Sequence, residues 1–291
     1  MGELFALGAA VVWAVAVILF KRSGETVAPF SLNLFRVTVS LVLLLGSTLG
    51  ARQALWGAAP AADYGILAAS GILGIAVADT FWHRGLNQAG AGVQSIVGCL
   101  YSPFIVLFAF LILDERLNLR QIAGMALVLG GVLTATGLTP VAGLSRRQLL
   151  TGIGWGAAAM ATQGIGIVIA KPVLERSPVL WATTMRQIAS FAVMLPIALA
   201  LPGRARVLGV FRPARSWRFT LTGTLLGSFL SLLLWIGGMK YAKAGTAAIL
   251  NQTSTLFALA FASLFLHEPF TRRKAAAAAL ALGGILLVLA G

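Results

Sequence analysis

Apolar residues run along this chain in long blocks, separated by short clusters of charged residues, glycine and proline. A helix crossing the hydrocarbon of a bilayer needs about 20 predominantly apolar residues. By that measure ten stretches are predicted to span, at approximately 3–20, 31–50, 63–83, 91–113, 119–138, 149–170, 179–201, 217–239, 246–266 and 272–290. Most connections are shorter than ten residues, and the longest, 51–62, 138–148 and 202–216, cannot hold a soluble domain. The first stretch exceeds a signal-peptide core and lacks both a basic leader and a clear cleavage site, so it is expected to be retained. Strands of a membrane barrel would alternate in polarity, and these blocks do not. The pattern predicts an all-α integral membrane protein with ten transmembrane helices.

The pattern also repeats. A shift of 150 places Lys21 on Lys171, Arg36 on Arg186, Ser40 on Ser190 and Leu45 on Leu195. Beyond a three-residue insertion in the 202–216 loop the shift becomes 153. It then places Gly74 on Gly227, Trp82 on Trp235, Phe108 on Phe261, Glu115 on Glu268, Arg120 on Arg273 and Gly130-Gly131 on Gly283-Gly284. Low complexity aligns alanines and leucines by chance, but not two intramembrane arginines, a tryptophan and two boundary glutamates in one register. Five spans per half is an odd number, so the second half enters the membrane from the opposite side. Residues 1–145 and 146–291 are therefore expected to form two inverted five-helix repeats. Many secondary transporters use that architecture, with substrate near the midplane between the halves.

Composition removes other classes. Of the 291 residues, 59% are hydrophobic and 10% charged, and the mean hydropathy is +0.93. A soluble domain carries roughly 25% charged residues. The net charge of +14 belongs at span ends, where basic residues meet lipid headgroups. No basic run interleaved with aromatics suggests a nucleic-acid partner. A single cysteine, Cys99, excludes a disulfide scaffold and a Cys-based metal site. There is no phosphate-binding loop, no pair of catalytic carboxylates and no Ser/His/Asp set, so neither an enzyme nor a nucleotide-driven motor is expected, and no cofactor.

Two five-span copies, each with an Arg in its second span and a fourth span ending in Glu, resemble the EamA-type members of the drug/metabolite transporter superfamily. The carrying segments are Pro103-Phe104 through Leu113-Asp114-Glu115-Arg116-Leu117 and Leu264-Phe265-Leu266-His267-Glu268-Pro269-Phe270, each followed by the Gly-Gly of a fifth span. The resemblance covers essentially the whole chain. It implies a central cavity lined by spans 1–4 and 6–9, peripheral spans 5 and 10, and export or exchange of small metabolites. Asp114 and His267 depart from the family's usual Gly before Glu, and Gln163 stands where the first half has Trp13.

Polar residues inside the spans are the candidate chemistry. Arg36 and Arg186 lie about five to seven residues into their spans, roughly 10 Å deep at 1.5 Å per residue. Either they hold an anionic substrate group through guanidinium hydrogen bonds, or they tie helices together and snorkel toward headgroups. Asp79 is the acid clearly within a span, and its repeat equivalent is Leu232. It can neutralise only one arginine. Asp79 and His83 share a helix face, which suits a proton-responsive pair, with protons as a candidate coupling ion; equally, Asp79 pairs Arg36 and His83 sits at the interface beside Arg84. Ser95, Cys99 and Ser102 form one stripe and Asn251, Ser254 and Thr255 another. Asn251 and Gln252 are adjacent, so one amide is expected to face a cavity. Trp13, Trp82, Trp235 and Tyr101 are candidates to line an apolar cavity, Trp82 and Trp235 being equally suited to an interfacial belt. Gln163 joins the set from the second half. Trp56, Trp181 and Trp217 read as belt anchors. Glu115 and Glu268 read as structural, at the starts of spans 5 and 10, with Asn118 and Thr271 as N-caps. Pro103 is expected to bend span 4.

Lysine and arginine number thirteen in the odd-numbered connections and seven in the even-numbered ones. The positive-inside rule thus favours external termini, whereas the resemblance implies cytoplasmic termini. The functional expectation is a secondary transporter of a small amphipathic metabolite, an amino acid or organic acid, in the bacterial inner membrane, as a monomer or homodimer. A flippase for a lipid or lipid-linked sugar, using Arg36 or Arg186 on an anionic headgroup, is the alternative. A non-transporting interaction or sensor protein is the third.

Overall fold

The computed structural model describes residues 2–57, 59–113, 118–136, 144–235, 250 and 253–290, which form helices joined by turns. In chain order these are α1 (Gly2–Ser23), α2 (Pro29–Gly50), α3 (Ala61–Ala89), α4 (Ala91–Gly98), α5 (Tyr101–Leu113) and α6 (Leu119–Thr136). They continue as α7 (Arg146–Arg176), α8 (Val179–Ala200), the short α9 (Arg204–Leu208), α10 (Trp217–Trp235), α11 (Ser254–Leu266) and α12 (Arg272–Leu289). Among the described residues, seven helical stretches are long and apolar enough to cross a membrane, and Leu119–Thr134 and Ser254–Leu266 are shorter apolar helices. Large apolar side chains face outward along them, among them Leu4, Val42, Leu119 and Leu264. Such a surface is stable only against hydrocarbon, where the helix satisfies its own backbone.

The helix boundaries follow local chemistry. Pro29 starts α2 at a position where its missing N–H costs nothing. Ser145 and Gln148 close a reciprocal capping box on α7. Asn118 Oδ1 accepts from the Gln121 N–H, and Thr271 Oγ1 from that of Lys274, so both expected N-caps of the fifth and tenth spans are present. Gly90 joins α3 to α4 at φ 86°, a left-handed turn that suits glycine. The predicted fourth span is not one straight rod. It breaks at Cys99-Leu100, between α4 and α5, because the Pro103 ring displaces the carbonyl four residues before it.

Two helices carry a wider turn. Ile72–Val77 in α3 and Thr224–Leu230 in α10 are π-helical, which frees carbonyls from the regular ladder. Asn33 on α2 meets this need in α3, donating from Nδ2 to the carbonyls of Ile75 at 2.9 Å and Ala76 at 3.1 Å. Helix α3 packs on α7 and α8, α2 on α8, α1 on α10 and α11, and α6 on α12. The α3–α8 crossing is close enough that a Cβ on Gly71 would overlap the Arg186 carbonyl. There Ser190 Oγ donates to the Gly71 carbonyl at 2.8 Å.

One end of the bundle is pinned by charge. The Glu268 carboxylate, 2% exposed, accepts the backbone N–H groups of Ala91 at 2.7 Å and Gly92 at 3.1 Å and pairs with Lys274 Nζ at 3.1 Å. The helix N-terminus it caps is therefore that of α4, not the tenth span beside it in sequence. Nearby, Lys21 Nζ donates to the Asn87 carbonyl at 3.0 Å and Arg22 to that of Phe265 at 2.9 Å. Glu115 and the segment 236–249 lie outside the described residues. Trp181, expected as a belt anchor, is 2% exposed. It packs edge-on to Tyr64 and donates to the Leu55 carbonyl at 3.1 Å, because the junction of α7 and α8 folds it inward. Trp56, at 65% exposure, remains on the surface.

Gly71→Ala should wedge α3 from α8 and cost about 1–3 kcal/mol of stability. Gly46→Ala, where nothing lies within 4 Å of the added Cβ, should change it by less than about 1 kcal/mol. Thermal unfolding in detergent reads both, and equal midpoints would refute the close crossing.

Candidate functional site

A cavity of about 350 Å³ lies in the middle of the bundle. Its described lining comes from α1, α2, α3, α4, α5, α7, α8, α10 and α11, and none of it from α6 or α12. Nine of the sequence-predicted residues meet there: Trp13, Arg36, Asp79, Trp82, Ser95, Tyr101, Gln163, Arg186 and Trp235. Asn251 and Gln252 lie outside the described residues. Both π-helical turns border the cavity through Gly74 and Gly227.

The two arginines have different surroundings. Arg36, 7% exposed, is held by several partners. Its Nη1 donates to Asp79 Oδ2 at 3.2 Å and to His83 Nε2 at 3.0 Å, and its Nε to Ser228 Oγ at 2.9 Å. The Phe20 ring lies beneath its guanidinium, 4.8 Å from centroid to Cζ. A guanidinium only donates, so His83 Nε2 accepts here and the ring proton sits on Nδ1. His83 is fully buried, not interfacial, because Arg36 draws it inward while Arg84 turns away onto the Trp155 ring at 4.9 Å. The sequence-level pairing of Asp79 with Arg36, and the shared face of Asp79 and His83, are both present on one nitrogen.

Arg186 has no such shell. Its Nε is buried without a hydrogen-bond partner, and among the described residues nothing pairs with its guanidinium. The titratable groups close enough to act on it electrostatically are Tyr101 and Asp79. Asp79 is already committed to Arg36 through one oxygen, and 19% of its side chain is exposed. Among the described residues the cavity thus presents one cation without a hydrogen-bonded partner and one half-used carboxylate. Across from them Trp13 and Trp82 pack with ring centroids 5.7 Å apart, which places Trp82 in the cavity wall instead of an interfacial belt. Trp235 is likewise in the wall.

Several lining residues escape a reading by charge alone. Ser228, Ser231 and Trp235 recur at three- and four-residue spacing on α10 and share one face; that periodicity is the signal that would have found the serines. Gln187 donates to the Val37 carbonyl at 3.2 Å and to Ser40 Oγ at 2.5 Å, bracing α8 against α2 directly behind both arginines. Thr183 and Gln94 also border the space. The Ser95–Cys99 stripe meets α11 through a 3.6 Å contact between Cys99 Sγ and Thr255 Oγ1. Among the described residues no three metal-ligating side chains cluster.

Residues 1–137 and 150–290 each match the EamA-like transporter family. The chain belongs to that family. It is a multi-pass membrane transporter, and the family and its named relatives are transporters, not enzymes. Among EamA-like relatives, an uncharacterized transporter of Archaeoglobus fulgidus is 22% identical over 98% of this chain and 97% of its own length. A protein of Streptantibioticus cattleyicolor named "Probable terminal-alkyne amino-acid exporter" is 27% identical over 96% of this chain and 90% of its own. A solved crystal structure superposes with a TM-score of 0.69 at 19% identity, covering 98% of this chain and 95% of that one, a likeness of fold.

The two charge environments of this EamA-like protein should separate on substitution. Asp79→Ala leaves Arg36 buried without its counter-ion and should cost about 3–5 kcal/mol. Arg186→Gln removes a group that has no hydrogen-bond partner among the described residues and should cost less than about 1 kcal/mol. Thermal midpoints of the purified variants measure the contrast; equal losses would refute it.

Proposed function

We propose that this EamA-like transporter exports or exchanges a small amphipathic metabolite bearing a carboxylate, an amino acid or organic acid, across the bacterial inner membrane. Binding is at the central cavity, and alternating access exposes that cavity to each side in turn. The scaffold for that motion is ten transmembrane helices in two inverted five-helix repeats, 1–145 and 146–291. Three pairs of helix boundaries support this reading: 29–50 and 179–200 are 150 residues apart, while 101–113 and 254–266, and 119–136 and 272–289, are 153 apart. The π-helical turns in α3 and α10 also overlap under the shift of 153. The two matches to the family, one in each half, point the same way.

The observation that carries the substrate class is the unpartnered Arg186 in the cavity wall. A guanidinium held away from bulk water favours a carboxylate strongly, since a charge-assisted pair forms where nothing else competes. The aromatic wall of Trp13, Trp82 and Trp235 suits the apolar part of such a molecule. The name of the Streptantibioticus cattleyicolor relative, an amino-acid exporter, supports the same class. Energy comes from the substrate's own gradient or an ion gradient, protons being the proposed coupling ion.

A ligand that binds only the folded state raises the unfolding midpoint once its concentration passes the dissociation constant. In a screen of amino acids, organic acids, phosphosugars, cationic drugs and lipid headgroup analogues, carboxylate-bearing metabolites should raise the midpoint of the wild type and not that of Arg186→Gln. Stabilisation by headgroup analogues alone would overturn the metabolite reading in favour of a flippase. Carboxylates stabilising Arg186→Gln as well as the wild type would remove the role of Arg186.

A further inference from the structure

We infer that the cavity recognises an α-amino acid at both of its charged groups, the carboxylate on Arg186 and the ammonium on the free oxygen of Asp79, with an apolar side chain against the tryptophans. This rests on the reading above that a carboxylate binds at Arg186. It selects between amino acids and organic acids, which that reading leaves together.

The argument begins with why Asp79 stays where it is. Arg36 Nη1 fixes Asp79 Oδ2 at 3.2 Å, and Arg36 is itself held by Ser228, His83 and the Phe20 ring. Asp79 therefore cannot swing away to neutralise Arg186 without stripping a buried guanidinium of its counter-ion, a costly move in a low-dielectric interior. Its other oxygen accepts no hydrogen bond among the described residues. The side chain keeps 19% exposure, and the residue lines the cavity. A Cβ on Gly74 would stand 3.2 Å from Arg186 Nη2, so that guanidinium lies against α3 five residues from Asp79, and both border the same cavity. A fixed negative and a fixed positive group are thus presented to one small ligand.

Those two charges form the counterpart of an α-amino acid, whose carboxylate and ammonium stand one carbon apart. Laid antiparallel across the pair, the ligand gives each charged group of the protein a charged partner. A fatty or aryl carboxylic acid satisfies Arg186 but lays hydrocarbon over the free Asp79 oxygen, which then loses water and gains nothing. An alkylamine satisfies Asp79 and meets the like charge of Arg186. A site with a committed acceptor rejects the analogue that lacks the donor more sharply than it rejects a change of chain length. Trp13 and Trp82, 5.7 Å apart, and Trp235 border the same space and suit a side chain without charge.

The test uses the full-length wild type in detergent and three matched pairs: norleucine with hexanoate, phenylalanine with 3-phenylpropanoate, and tryptophan with indole-3-propanoate. Apparent dissociation constants are read from midpoint shifts across a concentration series. In at least one pair the amino acid should bind roughly tenfold tighter than its deamino partner, the gain expected of a charge-assisted hydrogen bond. Asp79→Asn should abolish that advantage while leaving the deamino acid's affinity in place. If both members of every pair bind equally, the ammonium subsite is overturned and the carboxylate reading stands. If no member of any pair binds, both fail. If Asp79→Asn keeps the preference, Asp79 is a counter-ion to Arg36 and nothing more. The wild-type comparison needs no variant, so a poorly folding Asp79→Asn does not protect the proposal.

Discussion

A guanidinium cannot lose its charge and cannot sit in hydrocarbon uncompensated, and the centre of this molecule is organised around that constraint. Moving an arginine to the middle of a bilayer-spanning helix costs about 2.5–3.5 kcal/mol on insertion scales. Arg36 recovers that cost from four partners on three elements, α1, α3 and α10, through Phe20, Asp79, His83 and Ser228. The same contacts draw those helices together around α2. The cluster is therefore both a charge shell and a packing node, and it fixes Asp79 and His83 where no apolar contact would.

Backbone shape does the complementary work. Helices must approach closely to bury Arg36, and they must leave a void beside it. The close approach comes at positions without side chains, as where Gly71 meets the Arg186 carbonyl. The void lies beside the π-helical turns of α3 and α10, where Gly74 and Gly227 border the cavity. A wider turn leaves carbonyls in need of donors, and Asn33 supplies them across the α2–α3 interface. Ordinary α-helical ridges would fill this space. The distortion and its compensation keep it open without orphaning the backbone.

Much of this is legible in the sequence. Block length and charge spacing located most of the described helices closely, with ends off by six residues at Ala89 and Arg176, because the thickness of hydrocarbon imposes length but not the overhang beyond it. Intramembrane polarity gathered the cavity residues for a similar reason: Arg36, Asp79 and Gln163 are expensive facing lipid and must turn inward. The sequence offered Arg36 as one partner for Asp79 without fixing it, since the pairing depends on the approach of α2 to α3. It left His83 between a pairing with Asp79 and a place at the interface beside Arg84, because a helix turns adjacent side chains about 100° apart and the burial of one says nothing of the other. Trp181 was misread for the mirror-image reason, being near a span end yet folded into the α7–α8 junction. Glu268 was read as a structural residue at the start of the tenth span, but its cap on α4 is a tertiary contact that no local spacing encodes.

The chemistry collects where the two halves of the sequence stop matching. The shift of 150 equates Arg36 with Arg186, yet among the described residues only Arg36 has a shell, and the second half offers Leu232 in place of Asp79 and Ile236 in place of His83. Trp13 likewise faces Gln163 across the correspondence, apolar ring against amide. Matched positions such as Gly74 and Gly227 shape both walls of the cavity alike. Mismatched ones give it a polarity: a partnered cation with a half-used carboxylate at one place and, among the described residues, an unpartnered cation at another. Two identical halves would present a ligand with the same surface twice and could not orient a molecule whose ends differ. Divergence between the copies is what gives this small cavity chemically different ends.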